Sequence, residues 1–160
     1  MKNKVHKKLY VGSDEACFTW EEPEWAVVHA CKDPCHKGAV GYSGSLPKDH
    51  PNYLKYEEGS HLYLNLVDPP HKPLFFKSSF TSALDFIKRK IYDNKVLVHC
   101  NEGLSRSPSI VLLYLASEGQ IIANSSYPEA KEEFQTDYYS QYRPSGGIQT
   151  FLSQNWQELL

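Results

Sequence analysis

The sequence has no long hydrophobic run and no marked excess of one charge. Its longest apolar run, Ile110 to Ala116, has seven residues, whereas a membrane-spanning helix needs about 20. Lysine and arginine number 17 against 19 aspartates and glutamates, which gives a net charge of -2. A chain so close to neutral lacks the basic field by which proteins hold nucleic acids or anionic membranes. We therefore expect no membrane span and no nucleic-acid partner.

A secretory leader is also missing from the pattern at the N-terminus. Lysines occupy several of the first positions, but no apolar stretch follows them. Secretory signals need such a stretch, so we expect a cytoplasmic, reducing location. The chain has 160 residues, of which 41% are hydrophobic and 22% charged. This length and composition predict a single globular domain over residues 1–160, which is large enough to be a catalytic domain.

Cysteine is scarce, and the sequence contains four of these residues: Cys17, Cys31, Cys35 and Cys100. In a reducing compartment we expect free thiols. Cys31 and Cys35 lie between His29 and His36, which places four potential metal ligands in one short stretch. A structural zinc site usually takes its second ligand pair from a distant part of the chain. We therefore expect no metal here, while a reversible disulfide of Cys31 with Cys35 or Cys100 stays open.

Alternating strand and helix patterns predict an α/β fold with a central, mostly parallel, twisted sheet flanked by helices. The predicted strands are Lys8–Gly12, Trp25–Ala30, Leu62–Leu66 and Lys95–Cys100. The predicted helices begin at Ser78 or Ser79, at Ser107, near Tyr127 and near Gly147. The last of the four strands is apolar on both faces, so we expect it in the middle of the sheet. Residues 31–61 are irregular, which predicts a lid, a binding loop or short elements of their own.

The segment from His99 to Ser107 carries the strongest chemical signal. Cys100 ends a buried strand, and Arg106 begins a helix after a short polar loop. In open α/β sheets, ligands bind at this edge. Loop amides and a helix N-terminus favour an anion there, and a guanidinium matches two phosphate oxygens. We expect the loop to bind a tetrahedral dianion through Asn101, Glu102, Gly103, Leu104, Ser105 and Arg106.

The same surroundings should act on the thiol of Cys100. Positive charge and amide dipoles favour a thiolate, so we expect its pKa to lie below the free value of about 8.5. A thiolate beneath a bound phosphate is an in-line nucleophile, which leads to a phosphocysteine intermediate. Ser107 is suited to hydrogen-bond the sulfur as it leaves, and Gly103 permits an unusual backbone conformation. His99 should point away from the ligand as a hydrogen-bonded organiser.

Cleavage of a phosphate ester also needs a proton for the departing oxygen. Asp68 follows a second parallel strand and so should lie at the same edge of the sheet as Cys100. We expect it to act first as general acid and then as general base on water, with His71 as the alternative acid. A purely structural role for Asp68, as a turn residue before two prolines, is the competing interpretation.

Together, these residues resemble the pattern of a known enzyme family. The segment His99 to Ser107 resembles the signature of cysteine-dependent protein tyrosine phosphatases, a His-Cys pair, five residues and then Arg followed by Ser or Thr. Size and flanking segments resemble the dual-specificity branch, through Leu9–Ser13, Ala83–Ile87, Ser107–Ala116 and Tyr142–Leu152. The resemblance implies that Cys100 is the nucleophile, Arg106 the phosphate clamp, Ser107 the thiolate partner and Asp68 the acid. It implies no metal cofactor and a phosphoprotein or phosphopeptide substrate.

Three features depart from the family pattern. Ser145 stands where many relatives carry Asn, Glu102 places a carboxylate inside the loop, and residues 31–61 are longer than the usual connection. Substrate choice is a candidate role for that segment. Phosphotyrosine is the expected substrate, and phosphoserine and phosphothreonine stay open.

Other interpretations remain beside this one. The simplest makes Cys100 a buried structural thiol. A second is a non-catalytic phosphoprotein-binding module, which loss of the cysteine, arginine or aspartate would indicate; none of them is lost. A third is a phosphatase for RNA 5′ ends or phosphoinositides, which calls for further basic residues around the site. Because Arg106 is the only cation of the loop, protein substrates are favoured.

Overall fold

A six-stranded sheet forms the centre of the fold. The structure is a computed structural model, and it describes residues 2–16, 23–118 and 120–160. The strands are β1 (Lys2–His6), β2 (Leu9–Gly12), β3 (Trp25–His29), β4 (Lys55–Glu58), β5 (His61–Leu64) and β6 (Lys95–His99). Their order is β1-β2-β6-β3-β5-β4. The four inner strands run parallel, and both edge strands pair antiparallel. This confirms the mostly parallel sheet and the inner position of β6.

The described part of the chain contains five α-helices beside the sheet: α1 (Lys37–Val40), α2 (Lys77–Lys90), α3 (Arg106–Ser117), α4 (Tyr127–Asp137) and α5 (Gly146–Leu159). The four longer ones are those that the sequence predicts. Ser126 caps α4 and Ser145 caps α5, because each side chain accepts a hydrogen bond from an amide of the first turn. The helix α2 begins at Lys77, just before the predicted start at Ser78 or Ser79, and no serine caps it, because Phe76 occupies the N-cap position and makes no side-chain hydrogen bond.

The two faces of the sheet bury different amounts of apolar surface. Alternate residues such as Val28, Val96 and Val98 belong to the large core that α2 to α5 complete. The opposite face holds a small cluster of Trp25, Val27 and Leu97, with Tyr10 packed against it. Burial on both faces explains why β6 is apolar at successive positions.

Residues 31–61 form short elements of their own. A helical turn over Lys32–His36 leads into α1, and β4 closes the sheet. The segment is fastened by His36, whose Nδ1 lies 2.6 Å from the Tyr42 hydroxyl and whose Nε2 donates to the Asn52 carbonyl at 2.9 Å. The exposed edge strands β1 and β4 escape prediction because their sequences are largely polar.

The cysteines require a correction. Cys31 and Cys100 are free and buried, but Cys35 is in a disulfide. The expectation of free thiols is therefore wrong for Cys35, and neither of the pairs considered for Cys31 is formed. Sequence cannot show which sulfurs approach each other, which is why this escaped prediction. Cys17 lies outside the described residues. None of the described helices combines the length and the hydrophobicity that a membrane span requires.

Candidate active site

The loop between β6 and α3 is held from several sides. At its start, the amide of Cys100 donates to the carbonyl of Gly12 on β2 at 3.3 Å. In its middle, Gly103 has a φ of 76°, which a side chain would disfavour. At its end, the Ser109 hydroxyl donates to the carbonyl of Ser105 at 2.6 Å. The loop thus meets the N-terminus of α3, where unpaired amides and the helix dipole favour an anion.

Cys100 lies at the end of β6 with its side chain almost wholly buried. Its Sγ is 3.2 Å from the Oγ of Ser107, which lies in the first turn of α3. A hydroxyl at this distance can donate a hydrogen bond to a sulfur anion. The sequence interpretation of Ser107 as a partner of the sulfur therefore has a geometric basis.

Arg106 is buried with one donor unpaired. Its Nη1 donates to the carbonyl of Leu66 at 2.9 Å, and its Nη2 donates to Oδ1 of Asn101 at 2.6 Å. Its Nε is buried and has no hydrogen-bond partner among the described residues. An unpaired buried donor costs roughly 1–3 kcal/mol, and a charged one more. An anion accepting from this Nε–H would remove that cost.

A pocket of about 250 Å³ joins these groups. Its lining comprises Asp68, Cys100, Asn101, Glu102, Leu104, Ser105, Arg106 and Arg143. The structure thus brings together the expected nucleophile, clamp and acid with four of the expected loop residues. Gly103 is buried within the loop and is not in the lining, and its carbonyl accepts from the Tyr139 hydroxyl at 2.9 Å.

Asp68 is exposed and lies across the pocket on the segment that follows β5. Its Oδ1 accepts from the Ser105 hydroxyl at 3.0 Å, and the same Oγ accepts from the amide of Ser145 at 2.9 Å. Ser105 therefore links Asp68 to the loop between β6 and α3 and to the start of α5. The alternative acid His71 is exposed and is not among the described residues that line the pocket.

Two glycines at the start of α5 allow the segment carrying Asp68 to pack closely. A Cβ at Gly147 would lie 2.5 Å from the carbonyl oxygen of Pro69 and 2.6 Å from that of Lys72. At Gly146 it would collide with the carbonyl of Pro70. The amide of Gly147 donates a hydrogen bond to the carbonyl oxygen of Pro69 at 3.2 Å. Only glycine permits this approach, which sequence reasoning missed because the contact is between distant parts of the chain.

A chain of three hydrogen-bonded histidines lies behind Cys100. His99 Nδ1 donates to the carbonyl of Cys100 at 3.3 Å, because a carbonyl can only accept. The neutral ring then accepts at Nε2 from Nδ1 of His29, at 2.6 Å. His29 in turn accepts at Nε2 from Nδ1 of His61, at 2.9 Å. This single direction of donation fixes the tautomers of both buried rings.

Burial keeps these inner rings neutral. Desolvation lowers the pKa of His29 to about 2, with the neighbouring His99 and His61 adding to the effect. Desolvation likewise lowers the pKa of His99 to about 4. A neutral His99 that bonds the backbone of Cys100 matches the organiser interpretation rather than a catalytic base.

Three nearby side chains are of types that hold metal ions. Ligand atoms of His29, Cys35 and His99 lie within 4.8 Å of one another. The two imidazole nitrogens are only 2.6 Å apart, whereas two nitrogens on one tetrahedral zinc are about 3.3 Å apart. Cys35 is in a disulfide and offers no thiolate. The arrangement fits a hydrogen bond between the rings and does not fit ligation of one ion.

Arg143 is the pocket residue that sequence reasoning did not single out. It is exposed at the pocket, and its amide donates to the carbonyl of Leu104 at 2.8 Å. Glu102 is also exposed in the lining, so the pocket carries cations and carboxylates at once. The signal available was a basic residue shortly before the last helix, which alone is too weak to assign.

Comparison with known proteins agrees with this geometry. The dual specificity phosphatase catalytic domain family matches residues 40–136. A probable rhodanese domain-containing dual specificity protein phosphatase of Dictyostelium discoideum is 30% identical over 95 residues, which are 59% of this chain and 18% of that protein. The tyrosine-protein phosphatase yvh1 of Schizosaccharomyces pombe is 30% identical over 117 residues, which are 72% of this chain and 31% of that protein. The chain thus spans less than a third of these relatives.

A solved structure shows the same fold. The human tyrosine phosphatase-like serine/threonine/tyrosine-interacting protein superposes with a TM-score of 0.66 at 18% identity, over 99% of this chain and 96% of that chain. The α/β fold class expected from the sequence is therefore confirmed.

Proposed function

Because the chain belongs to the dual specificity phosphatase catalytic domain family, we propose that it hydrolyses phosphotyrosine, and also phosphoserine and phosphothreonine, through a phosphocysteine intermediate. One observation carries the proposal. A single pocket joins a buried cysteine sulfur, a guanidinium with an unpaired buried N–H and a carboxylate from a separate segment. These are the nucleophile, the phosphate clamp and the proton donor that ester hydrolysis needs.

The first step transfers the phosphoryl group to the enzyme. The sulfur of Cys100 attacks phosphorus, and the bond from phosphorus to the ester oxygen breaks. Protonated Asp68 gives its proton to the departing oxygen. Arg106 and the amides at the start of α3 hold the phosphoryl oxygens, and they stabilise negative charge on the sulfur beforehand.

The second step releases inorganic phosphate. The carboxylate of Asp68 takes a proton from water as the water oxygen attacks phosphorus. The bond between sulfur and phosphorus breaks, and Ser107 donates a hydrogen bond to the leaving sulfur of Cys100. The enzyme returns with Asp68 protonated, so the cycle consumes one water and one phosphate ester.

Arg143 supports a second substrate class. It adds a cation at the pocket, which favours polyanionic substrates such as phosphoinositides or the 5′ ends of RNA. Glu102 in the same lining opposes a high negative charge, because like charges in proximity repel. Phosphoprotein substrates stay first for this reason.

The test is turnover of p-nitrophenyl phosphate, with reductant and a chelator. We expect the wild-type protein to turn over this substrate, and we expect Cys100→Ser to lower the turnover rate by roughly 10³-fold or more. Undiminished activity in that variant would refute the assigned nucleophile. A wild-type protein that binds phosphopeptides without turnover would make it a binding module. A panel of phosphopeptides, a phosphoinositide and an RNA 5′-triphosphate then ranks the substrate classes by kcat/KM.

We further propose a cytoplasmic location for the chain. A reducing compartment keeps the free thiol of Cys100 available for catalysis. The disulfide of Cys35 favours an oxidising compartment instead. Fractionation of the natural host, together with thiol labelling that measures the redox state of Cys35, tests the proposal.

A further inference from the structure

A larger pocket, of about 490 Å³, lies beside the candidate active site. One wall comes from residues 32–54, the segment that the sequence marks as irregular. The other wall comes from residues 65–67 and 73–79, on either side of the turn that carries Asp68. The proposed reaction does not use this second pocket, which we call the flanking pocket.

The flanking pocket is continuous with the catalytic groups through the backbone. The carbonyl of Leu66, which lines it, accepts from Nη1 of Arg106 and from the amide of Lys32, both at 2.9 Å. Val67 lines the flanking pocket, and the next residue, Asp68, lines the catalytic one. The two pockets therefore meet where Val67 is followed by Asp68.

Apolar surface is exposed on one side of this pocket. Val67 is 44% exposed, Leu74 63% and Phe76 52%. They are three of the five large hydrophobic residues that are exposed in the described part of the chain. Clustered exposure of this kind marks a binding surface more often than scattered exposure does.

Positive charge in the lining comes from residues of the 32–54 segment. Lys32 and Lys48 are the only charged residues in the lining. Neither forms an ion pair with any residue in the ranges that the structure describes. A carboxylate brought into the flanking pocket would meet two cations and no acidic side chain of the lining.

We infer that the flanking pocket binds the substrate peptide beside the phosphorylated residue, and selects peptides with an apolar side chain next to Asp or Glu. The apolar side chain would cover Val67 and Leu74, and the carboxylate would approach Lys32 and Lys48. This inference rests on the proposed phosphatase function and names its preferred substrate class. The polar and apolar sides together favour a peptide over a bare anion, which would leave the apolar side exposed.

Two matched pairs of phosphotyrosine peptides test this inference. In the first pair, one peptide has Leu and Glu after the phosphotyrosine and the other has Gly and Gln there. In the second pair, the same residues precede the phosphotyrosine. We expect the wild-type protein to prefer the Leu-Glu peptide of one pair, mainly through a lower KM. In Lys48→Ala, kcat/KM for that peptide should fall about fivefold, the upper range for a partly exposed ion pair. Lys32→Ala should act similarly, and Lys48→Glu more strongly.

Leu74→Ser examines the apolar side in the same way, because Leu74 is exposed and its replacement leaves the core intact. It should reduce the preference for Leu over Gly without altering p-nitrophenyl phosphate turnover. The matched control is Lys4→Glu, a charge reversal on the exposed edge strand β1 at the far side of the sheet. It should leave all substrates unchanged.

The inference is overturned if the wild-type protein does not discriminate within either pair, or if Lys4→Glu matches Lys48→Glu. It is also overturned if these lysines control turnover of phosphoinositide vesicles and leave the peptides unchanged. Peptide binding to Cys100→Ser, followed by fluorescence anisotropy, separates the two proposals. Without turnover of any substrate the proposed function fails, whereas equal affinity for the peptides of each pair refutes the flanking pocket as a selective site.

Discussion

Asp68 is the residue of the pocket whose role depends most on placement. It is exposed, and its Oδ1 accepts a hydrogen bond from the hydroxyl of Ser105, 3.0 Å away. A turn residue before two prolines needs no such link to the phosphate-binding loop. The link across to the loop therefore favours the proton-transfer role over the purely structural one.

Replacement of Asp68 by Asn should lower kcat and spare binding. The amide keeps the shape of the side chain but cannot give up a proton, so we expect kcat on phosphotyrosine peptides to fall about 10²- to 10³-fold. KM should change little. The fall should be smaller for p-nitrophenyl phosphate, whose leaving group needs less protonation. Steady-state kinetics on both substrates measures this.

His71→Asn is the matched control for this prediction. His71 lies three positions further along the same segment and is exposed, so its replacement should leave both substrates unaffected. If Asp68→Asn retained full activity while His71→Asn lost it, the acid would be His71 instead.

Residues of the site differ in how visible they are in the sequence. Cys100, Arg106 and Ser107 are separated by one short loop, so their spacing alone brings them to one helix N-terminus. Arg143 lines the pocket, and Ser145 contacts the pocket residue Ser105, although both come from the segment that follows α4 in the chain. Local spacing carries no information about such contacts. The sequence therefore predicts the loop in detail and the opposite wall only through Asp68.

Among the secondary-structure elements, α5 does more than complete the core. Its first turn packs against the segment that carries Asp68, with Gly146 and Gly147 at the contact. The helix thereby fixes how far the acid stands from the phosphate-binding loop. This gives the paired glycines a positional role beyond starting a helix.

We expect Gly147→Ala to reduce catalysis through this contact. The added Cβ would collide with the carbonyl oxygens of Pro69 and Lys72, so the segment must shift. Small displacements of a catalytic group are costly, and we expect kcat to fall about tenfold. The free energy of unfolding should fall by about 1–3 kcal/mol. Kinetics and urea denaturation measure the two effects.

Gly59→Ala separates a catalytic effect from simple destabilisation. Gly59 has a φ of 59° in the turn between β4 and β5, with open space around it. Alanine there should cost about 1 kcal/mol and leave kcat unchanged. If Gly147→Ala acts through Asp68, it should add little to the loss of kcat in Asp68→Asn. Additive losses would refute that path.

The sheet shows which elements a sequence predicts well. The inner strands are apolar and the longer helices have clear apolar faces, so burial and periodicity predict them. β1 buries only Val5, and β4 buries none of its residues. Such strands exist because a neighbour offers a backbone edge for pairing, not because of their side chains. Hydrophobic pattern cannot detect them.

For the molecule as a whole, the buried histidines make stability depend on pH. The pKa of His29 falls to about 2 and that of His99 to about 4 on folding, from an unfolded value of 6.5. Below pH 6.5 the unfolded chain therefore binds more protons than the folded one. By linkage the free energy of unfolding must decrease as pH falls through this range.

Each of these two histidines should cost about 2 kcal/mol of stability between pH 7 and pH 5, which follows from the linkage relation. Urea denaturation at pH 5, 6 and 7 measures the slope. His29→Asn removes one titrating ring. Whatever the stability of this variant at pH 7, its free energy of unfolding should fall by about 2 kcal/mol less than that of the wild type between pH 7 and pH 5. His71→Asn, at an exposed position, should keep the full slope. A slope in His29→Asn equal to that of the wild type would mean that folding does not change proton binding by His29, and the assignment of a neutral, buried His29 ring behind Cys100 would be wrong.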